Sequence, residues 1–538
     1  MRAKTQDEAH LCQLLYDMFK LYPLTVSRIK EIRKQFQVNI TDAHGRVLPF
    51  LQDTLYEIER DIVNNHLEEK LVFETYQQFI ADIGARMEAK FDFPLNDTPY
   101  WLDHPQTKLD NYSSSEILPS HFDVVIIGCG LTGAAAAYFS SVYKSSEKIA
   151  VFDKAHLPAF GSSGRNGGNF DVITESCVGD EYQGLVNERL ASLKKDLPKY
   201  AKDASSELAE RQARALVNLG FSNSDSMNEI IDNLNIDCDN TSSGWLKIAN
   251  HPKDISAFEQ DIKLLEQFGT QVSLKDPESV FNEYDLKVSL PSLFSPKGGK
   301  YHPFKFVNGI FEALVEQNKI SLYLNSRVSK VENVDGIVEL HIERNGKTEV
   351  TRTKKLIVAT NAFFGDLFPD YPIIEEYQSQ IVNMTHVECG IEEMAVTENA
   401  CMYYYNFPKA SQYRSDCLRG TLQLGGGEDV RQNHHARAEL RNVMYNLCDK
   451  IYERFPSTKG QPPSCFWTGK MGFTKDHMPY IGKLGVGKMK DVIVAIGFNG
   501  FGGAACNQAG KIAAEICFKD QTAFPDAELF APDRFLHE

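Results

Sequence analysis

The stretch from Phe122 to Lys154, FDVVIIGCGLTGAAAAYFSSVYKSSEKIAVFDK, limits what this chain can fold into more than any other. An apolar run, Val124 to Ile127, leads directly into Gly128, Gly130 and Gly133. An alanine-rich helical segment follows, then a second apolar run, Ile149 to Phe152, ending on Asp153. Strand, glycine turn, helix, strand and distal acid stand in the order that a dinucleotide-binding unit needs. Gly128 permits the tight turn, Gly130 lets the backbone approach a pyrophosphate, and Gly133 lets helix and strand pack closely. Leu131 and Thr132 open the helix, whose free N–H groups and positive end suit phosphates. Asp153, with Lys154 beside it, is placed to accept hydrogen bonds from ribose hydroxyls. A glycine triplet alone is often only a turn; the flanking strands, helix and acid make this one specific.

With 538 residues the chain has room for more than one domain. Its net charge of −16 argues against a nucleic-acid surface or an anionic membrane as main partner, and reads as solubility. Eleven cysteines, without CxxC pairs or zinc-like spacing, suggest free thiols in a reducing compartment and no metal site. MRAKTQDEAH carries charges where a signal peptide needs an apolar stretch, so the expected location is cytoplasmic. Two segments lack any charge, Val124–Tyr143 and Val492–Gly510. Glycine, serine or asparagine interrupts both, so they read as buried strand–loop–helix units with no membrane insertion.

Residues 1–92 place Leu11, Leu14, Leu15 and Met18 at helical spacing, and likewise Leu51, Leu55, Ile58 and Ile62. They read as an all-α extension for packing, self-association or a protein partner. Pro94, Pro99, Pro105, Pro119 and the run Ser113–Ser115 suit an extended linker over 93–120. Helix is expected over 183–235 and 254–268, strand at Trp245–Ala249, Leu356–Ala359 and Asp491–Ile496. Short alternating strands are expected over 320–345, with turns at Gly336 and Asn345-Gly346.

Three more clusters of small residues flank apolar runs. They are Gly161-Ser162-Ser163-Gly164-Arg165-Asn166-Gly167-Gly168, Ala359-Thr360-Asn361-Ala362, and Gly497-Phe498-Asn499-Gly500-Phe501-Gly502-Gly503. Each alone could be a plain turn. Together with the opening motif they suggest several loops converging on one long ligand.

At these residues the chain resembles the FAD-dependent D-amino-acid oxidase superfamily. It is most similar to the amine-oxidising branch with glycine and sarcosine oxidases and gamma-glutamylputrescine oxidoreductase. The matching signatures are PYWLDHP (Pro99–Pro105), VVIIGCGLTG, SGRNGG, GGKYHPFK (Gly298–Lys305), VATNAF (Val358–Phe363), LGGG (Leu424–Gly427), WTGKMGFTKDHMPYIG (Trp467–Gly482) and GFNGFGG. They run in family order over about 98–520; the extension lies outside them. The resemblance implies an α/β fold: a Rossmann-like FAD-binding domain with an inserted α+β substrate domain, plus the N-terminal all-α extension. The implied boundaries are 121–235, 301–365 and 467–525 for the FAD-binding domain, and 236–300 and 366–466 for the substrate domain. Gly128, Gly130, Leu131, Thr132 and Gly133 would bind the pyrophosphate, and Asp153 and Lys154 the adenosine side. Ser163, Gly164, Arg165, Asn166, Gly167 and Gly168 would wrap the pyrophosphate and flavin edge. Val328 would meet the adenine and Thr360 the cofactor. Gly497, Asn499, Gly500, Phe501, Gly502 and Gly503 would close over the flavin ring.

The resemblance also implies the reaction, oxidation of the C–N bond of a small-molecule amine or amino acid to an imine, with oxygen as acceptor giving hydrogen peroxide. The amine must react neutral, because a protonated nitrogen has no lone pair to form the imine. Gly469 and Gly161 stand where some relatives carry the cysteine or histidine that attaches flavin, so FAD is expected to be non-covalent. The segment after the last glycine loop, Gly503-Ala504-Ala505-Cys506, lacks the lysine with which sarcosine oxidase-like members hold a substrate carboxylate. That favours a larger amine, or an amino acid held by another cation. Candidate catalytic residues are Lys470, expected to face the flavin and assist oxygen reduction, and His302, whose plainer reading is a helix cap. Lys475 and His477 are further polar candidates, and Asp476 reads as a turn former. The Tyr403–Tyr405 run could line a cavity or simply pack. Two alternatives stay open: a dehydrogenase using another acceptor, and a catalytically weak flavin-binding scaffold acting through its extension.

Overall fold

A computed structural model describes residues 98–534 apart from 103–106, 110–111, 113–116, 145, 171–201, 243, 268–270, 285, 370–374, 386–394, 399–402, 407–420, 427–436, 456–457, 459–462, 475, 486–488 and 490–491. The expected helical extension over 1–92, and Lys475, lie outside the described residues.

Two eight-stranded sheets organise the chain. In the first, β1 (His121–Ile127) runs parallel to Lys347–Val358 on one side and to β2 (Ile149–Phe152) on the other. Val492–Ile496 and Ile320–Tyr323 extend it in parallel, and Tyr480–Lys483 adds an antiparallel edge. Strands Arg327–Val334 and Ile337–Arg344 join as a meander on Lys347–Val358. β1 is apolar on both faces because both are covered. Val124 and Ile126 meet the helices, while Val125 and Ile127 meet the meander. The meander turns at Asp335-Gly336 and Asn345-Gly346, with φ of +52° and +83°, then +50° and +71°. Asp, Asn and Gly tolerate that region, which fits the strands' twist.

Helix α1 (Leu131–Tyr143) connects β1 to β2, and Ala134–Ala137 are fully buried along it. Small residues there let the helix Cys506–Lys519 approach closely. A Cβ at Gly510 would stand 2.7 Å from the Ala135 Cβ. The two charge-free segments are thus strand–loop–helix units of the core, as the sequence suggests. Among the described residues no helix is long and apolar enough to cross a membrane.

The second sheet runs Cys465–Phe473, Glu375–Thr385, Thr421–Gly426, Tyr403–Asn406, Ala395–Glu398, Trp245–Ile248, Ser292–Ser295, Ser273–Lys275. Helix Arg437–Arg454 covers one face, packing Met444, Leu447 and Ile451 against Leu422, Leu424 and Tyr405. From the other face Trp245, Leu293, Ile381 and Trp467 enter the main core. Tyr405 therefore packs under the helix; the side chains of Tyr403 and Tyr404 lie outside the described residues. In that covered face Glu398 is 1% exposed and accepts from Arg454 Nε and Nη2 at 2.9 and 2.7 Å, with Lys450 Nζ at 3.4 Å.

Two expected boundaries need correction. The strand Cys465–Phe473 pairs antiparallel with Glu375–Asn383, so a cut at 467 would divide a strand of the second sheet; the chain returns to the first sheet only after Phe473, at Tyr480–Lys483. The segment read as an extended linker is docked: Tyr100, Trp101 and Leu109 are at most 5% exposed, within a 3-10 turn and the loop after it. Its prolines suggested extension, but its aromatic residues have core to fill.

Candidate functional site

A cavity of about 760 Å³ lies at the carboxyl ends of β1, β2 and Lys347–Val358, where open α/β sheets bind ligands. Gly128, Gly130, Leu131 and Thr132 form its floor. Gly128 has φ +111°, and a Cβ there would sit 2.6 Å from the Ala359 carbonyl oxygen. Ser163 Oγ accepts from the Leu131 N–H at 2.9 Å, in the space a Cβ on Gly130 would invade. Gly133 stands behind the cavity, with room for no side chain: its Cβ would lie 1.8 Å from the Gly128 oxygen.

Asp153 lines the cavity, held by N–H groups from Cys129 at 2.7 Å and Ala155 at 2.8 Å. Burial raises its pKa; the two N–H groups and Lys154 oppose that without cancelling it. One lone pair on each carboxylate oxygen remains for a sugar hydroxyl. Val328 lines the same end, beside Asn325 and Arg327, which sequence reading missed.

The Ser162–Gly167 loop closes another wall and is fastened from three sides. Trp101 Nε1 donates to the Asn166 oxygen at 2.7 Å, Trp467 Nε1 to the Arg165 oxygen at 3.0 Å, and Ser162 Oγ to the Lys470 oxygen. Arg165 Nη1 donates to the Thr468 oxygen at 3.1 Å, so this guanidinium locks the loop to the second sheet while it lines the cavity.

Of the other expected residues, Thr360, Gly500, Phe501, Gly502 and Gly503 line the cavity, whereas Gly164, Gly168, Gly497 and Asn499 stand behind it. Asn499 Oδ1 accepts from the Thr474 N–H at 2.8 Å and its Nδ2 donates to the Gly497 oxygen at 2.8 Å, fixing the glycine loop. Two side-chain atoms of lining residues, Thr360 Oγ1 and Asn169 Oδ1, are buried without a hydrogen-bond partner among the described residues. Asn169 Nδ2 is held by the Tyr405 oxygen at 3.2 Å. A lone asparagine after SGRNGG gave no signal of this.

The catalytic candidates fare less well. His302 lies off the cavity walls, with its ring 4.7 Å from Trp101; its Nδ1 accepts from the Lys305 N–H and caps the helix Pro303–Glu316. Burial, and secondarily Lys305, pushes its pKa down to about 3, so it is a neutral cap and carries no catalytic proton. Lys470 does line the cavity. Its Nζ lies 5.4 Å from the centre of the Phe363 ring, a ring that Lys154 Nζ also approaches, at 3.7 Å. His477 is exposed and Asp476 pairs with Arg534 at 2.8 Å, shaping the turn.

Electrostatically the walls run against the rest of the chain. Four cations, Lys154, Arg165, Arg327 and Lys470, line the cavity with two carboxylates, Asp153 and Asp366, in a chain of net charge −16. That excess, the glycine floor and the two orphaned polar atoms fit a long polar ligand that carries negative charge. Cys129 and Cys506 also line the walls, but burial raises both thiols, Cys506 to about 12. Neither offers a thiolate at neutral pH.

The family described as FAD dependent oxidoreductase (DAO) matches residues 123–516. A D-amino acid dehydrogenase of Vibrio vulnificus (strain YJ016) is 23% identical over 426 residues, 74% of this chain and 96% of the relative. Among solved structures, L-proline dehydrogenase from P. horikoshii is similar at TM-score 0.60 and 20% identity, covering 78% of this chain and 99% of that one. Glycine oxidase from Geobacillus kaustophilus is similar at TM-score 0.58 and 17% identity, covering 77% and 99%.

Proposed function

Since the chain belongs to the FAD dependent oxidoreductase family, we propose that it oxidises the Cα–N bond of an amino acid, or a related amine, to an imine. The carrying observation is one cavity lined both by the glycines of the dinucleotide turn and by the apolar side chains of Met471, Phe498 and Phe501. The similar proteins, named D-amino acid dehydrogenase, L-proline dehydrogenase and glycine oxidase, support an amino acid as the substrate.

FAD fits the cavity, and when bound it supplies the two-electron acceptor that the reaction requires. The N–H groups opening α1 would meet its diphosphate, where the helix end is positive. Asp153 would accept from the ribose, Val328 would flank the adenine, and Thr360 Oγ1 would donate to a phosphate or ribityl oxygen. The protonated thiols favour a non-covalent cofactor. Beside Met471, Phe498 and Phe501, whose apolar side chains disfavour an ammonium ion, the substrate nitrogen would bind neutral. Asn169 Oδ1, its amide turned by the bond to Tyr405, would accept from a donor on the bound molecules. The imine then hydrolyses to a keto acid or aldehyde.

We propose oxygen as the acceptor; the names of the dehydrogenase relatives favour a second reading, transfer to a quinone or protein. Turnover of a panel of D- and L-amino acids and amines tests both readings. Keto acid and ammonia with equimolar hydrogen peroxide support an oxidase. The same products formed only with an artificial acceptor would leave the dehydrogenase. No product with either acceptor would refute the substrate class.

A further inference from the structure

We propose that Glu332, Glu339 and His341, on the outer face of the meander, bind a divalent transition-metal ion of the zinc class. In the paired strands Arg327–Val334 and Ile337–Arg344, the side chains of Val331, Val338, Leu340 and Ile342 enter the core. Alternation along a strand therefore puts Glu332, Glu339 and His341 on the opposite face. Glu332 stands directly across from Glu339, and His341 follows two residues later on the same strand. One donor atom from each residue lies within 4.8 Å of the other two, and among the described residues no other three His, Cys, Asp or Glu side chains converge so closely. His341 Nε2 is 3.2 Å from Glu332 Oε2 and 3.6 Å from Glu339 Oε1. Bonds of about 2.1 Å to a tetrahedral ion separate two donors by about 3.4 Å, so the imidazole stands one such edge from each carboxylate.

The surroundings favour an ion. Nε2 of His341 is buried and makes no hydrogen bond among the described residues, although two carboxylates lie beside it. Like charges directly opposite on one sheet face repel, which a cation bound between them would relieve. The pairing register slips between His341 and Ile342, leaving Ser329 without a partner, and such bulges re-aim the side chains beside them. Arg352 donates from Nε and Nη2, each at 2.9 Å, to Glu339 Oε2, which leaves Oε1 for the ion and fixes the carboxylate that would bind it. Lys330 Nζ, 2.9 Å from Glu332 Oε2, is the competitor; both side chains are well exposed, so that pair is weak and can open. One imidazole with two carboxylates suits zinc, nickel or copper better than the hard ions magnesium and calcium. Cysteine spacing gave no sign of this site, because strand pairing and not a short motif assembles it. None of the three residues lines the cavity, so the inference stands apart from the flavin reading.

The test is calorimetric titration of zinc chloride into the full-length protein after treatment with a chelator and its removal. His341→Ala and Glu332→Gln should each raise the zinc dissociation constant roughly tenfold or more, since even outer partners of a metal site cost that much. Lys330→Met removes the competing ammonium and should tighten zinc several-fold. Zinc should raise the melting temperature of wild type and leave that of His341→Ala unmoved. Melting in the presence of chelator should match between wild type and variants, which shows that the variants fold. Zinc affinity within twofold of wild type in both His341→Ala and Glu332→Gln would place any bound zinc elsewhere and overturn the site. Wild-type protein that takes up no zinc would overturn it too. Displacement of the zinc by an equal concentration of magnesium would refute the assigned class of ion.

Discussion

Replacing Gly133 by alanine puts one methyl group where there is no space for it. The new Cβ would lie 1.8 Å from the Gly128 oxygen and 2.9 Å from its carbonyl carbon. Ordinary contact requires the helix start or the glycine turn to withdraw by more than about 1 Å. Both belong to backbone that is pinned elsewhere: Gly128 donates to the Phe152 oxygen at 2.9 Å, and α1 is buried along Ala134–Ala137. Overpacking of a rigid site costs about 1–3 kcal/mol, and the backbone partner argues for the upper end. At about 2–4 °C per kcal/mol for a domain of this size, the melting temperature should fall by roughly 6–12 °C. The shift also moves the N–H groups that would face the diphosphate, so FAD should be depleted after gel filtration. Gly365→Ala is the control, since that exposed position lies off the cavity walls and a Cβ there meets nothing within 4 Å. The assay is thermal unfolding with flavin content per chain. A Gly133→Ala protein with full flavin content and wild-type melting would refute the reasoning.

Other substitutions probe separate parts of the account. Arg454→Met leaves the buried Glu398 carboxylate with Lys450 at 3.4 Å and without its closer cation, and should cost about 3 kcal/mol, read by denaturant unfolding. Burial works against the Glu398 charge, but Arg454 and Lys450 outweigh it and hold the pKa at about 2 against an ordinary 4.5. That stability is full above pH 4.5 and should be lost as acid titrates the group toward pH 2, less steeply in a Glu398→Gln, Arg454→Met double variant. His302→Asn should keep the cap, whereas His302→Ala should lose about 1 kcal/mol. A histidine held at about 3 when folded and 6.5 when unfolded favours folding above pH 6.5 and progressively less on acidification, so His302→Asn should flatten stability between those values. Trp101→Phe removes the donor to the Asn166 oxygen and should cost about 1–2 kcal/mol, with faster FAD release measured by stopped dilution.

The βαβ unit was legible because its information is local: Gly128, Gly130, Gly133 and Asp153 sit within one short stretch, each required by backbone geometry. The asparagine and aspartate turns of the meander were legible for the same reason. The loop Ser162–Gly167 could be recognised, but not its fastening by Trp101 and Trp467, which come from distant segments. Prolines around Trp101 suggested a free linker, since composition cannot show that an aromatic side chain has a slot. Lys470, on a strand of the second sheet, and Phe363, in the 3-10 turn Asn361–Asp366, lie far apart in sequence, so only the fold reveals that Lys154 and Lys470 approach one ring. His302 looked like chemistry because histidine so often is; its burial and the Lys305 N–H make it a cap.

The central claim is that an amino acid or amine delivers electrons to FAD held in this cavity. Anaerobic titration of the purified yellow protein with D-amino acids, L-amino acids and amines, watching oxidised-flavin absorbance, tests it most directly. The account predicts rapid bleaching by at least one compound, and recovery of colour when air or another acceptor is admitted. Flavin that dithionite reduces, but that no compound in the panel bleaches, would contradict it.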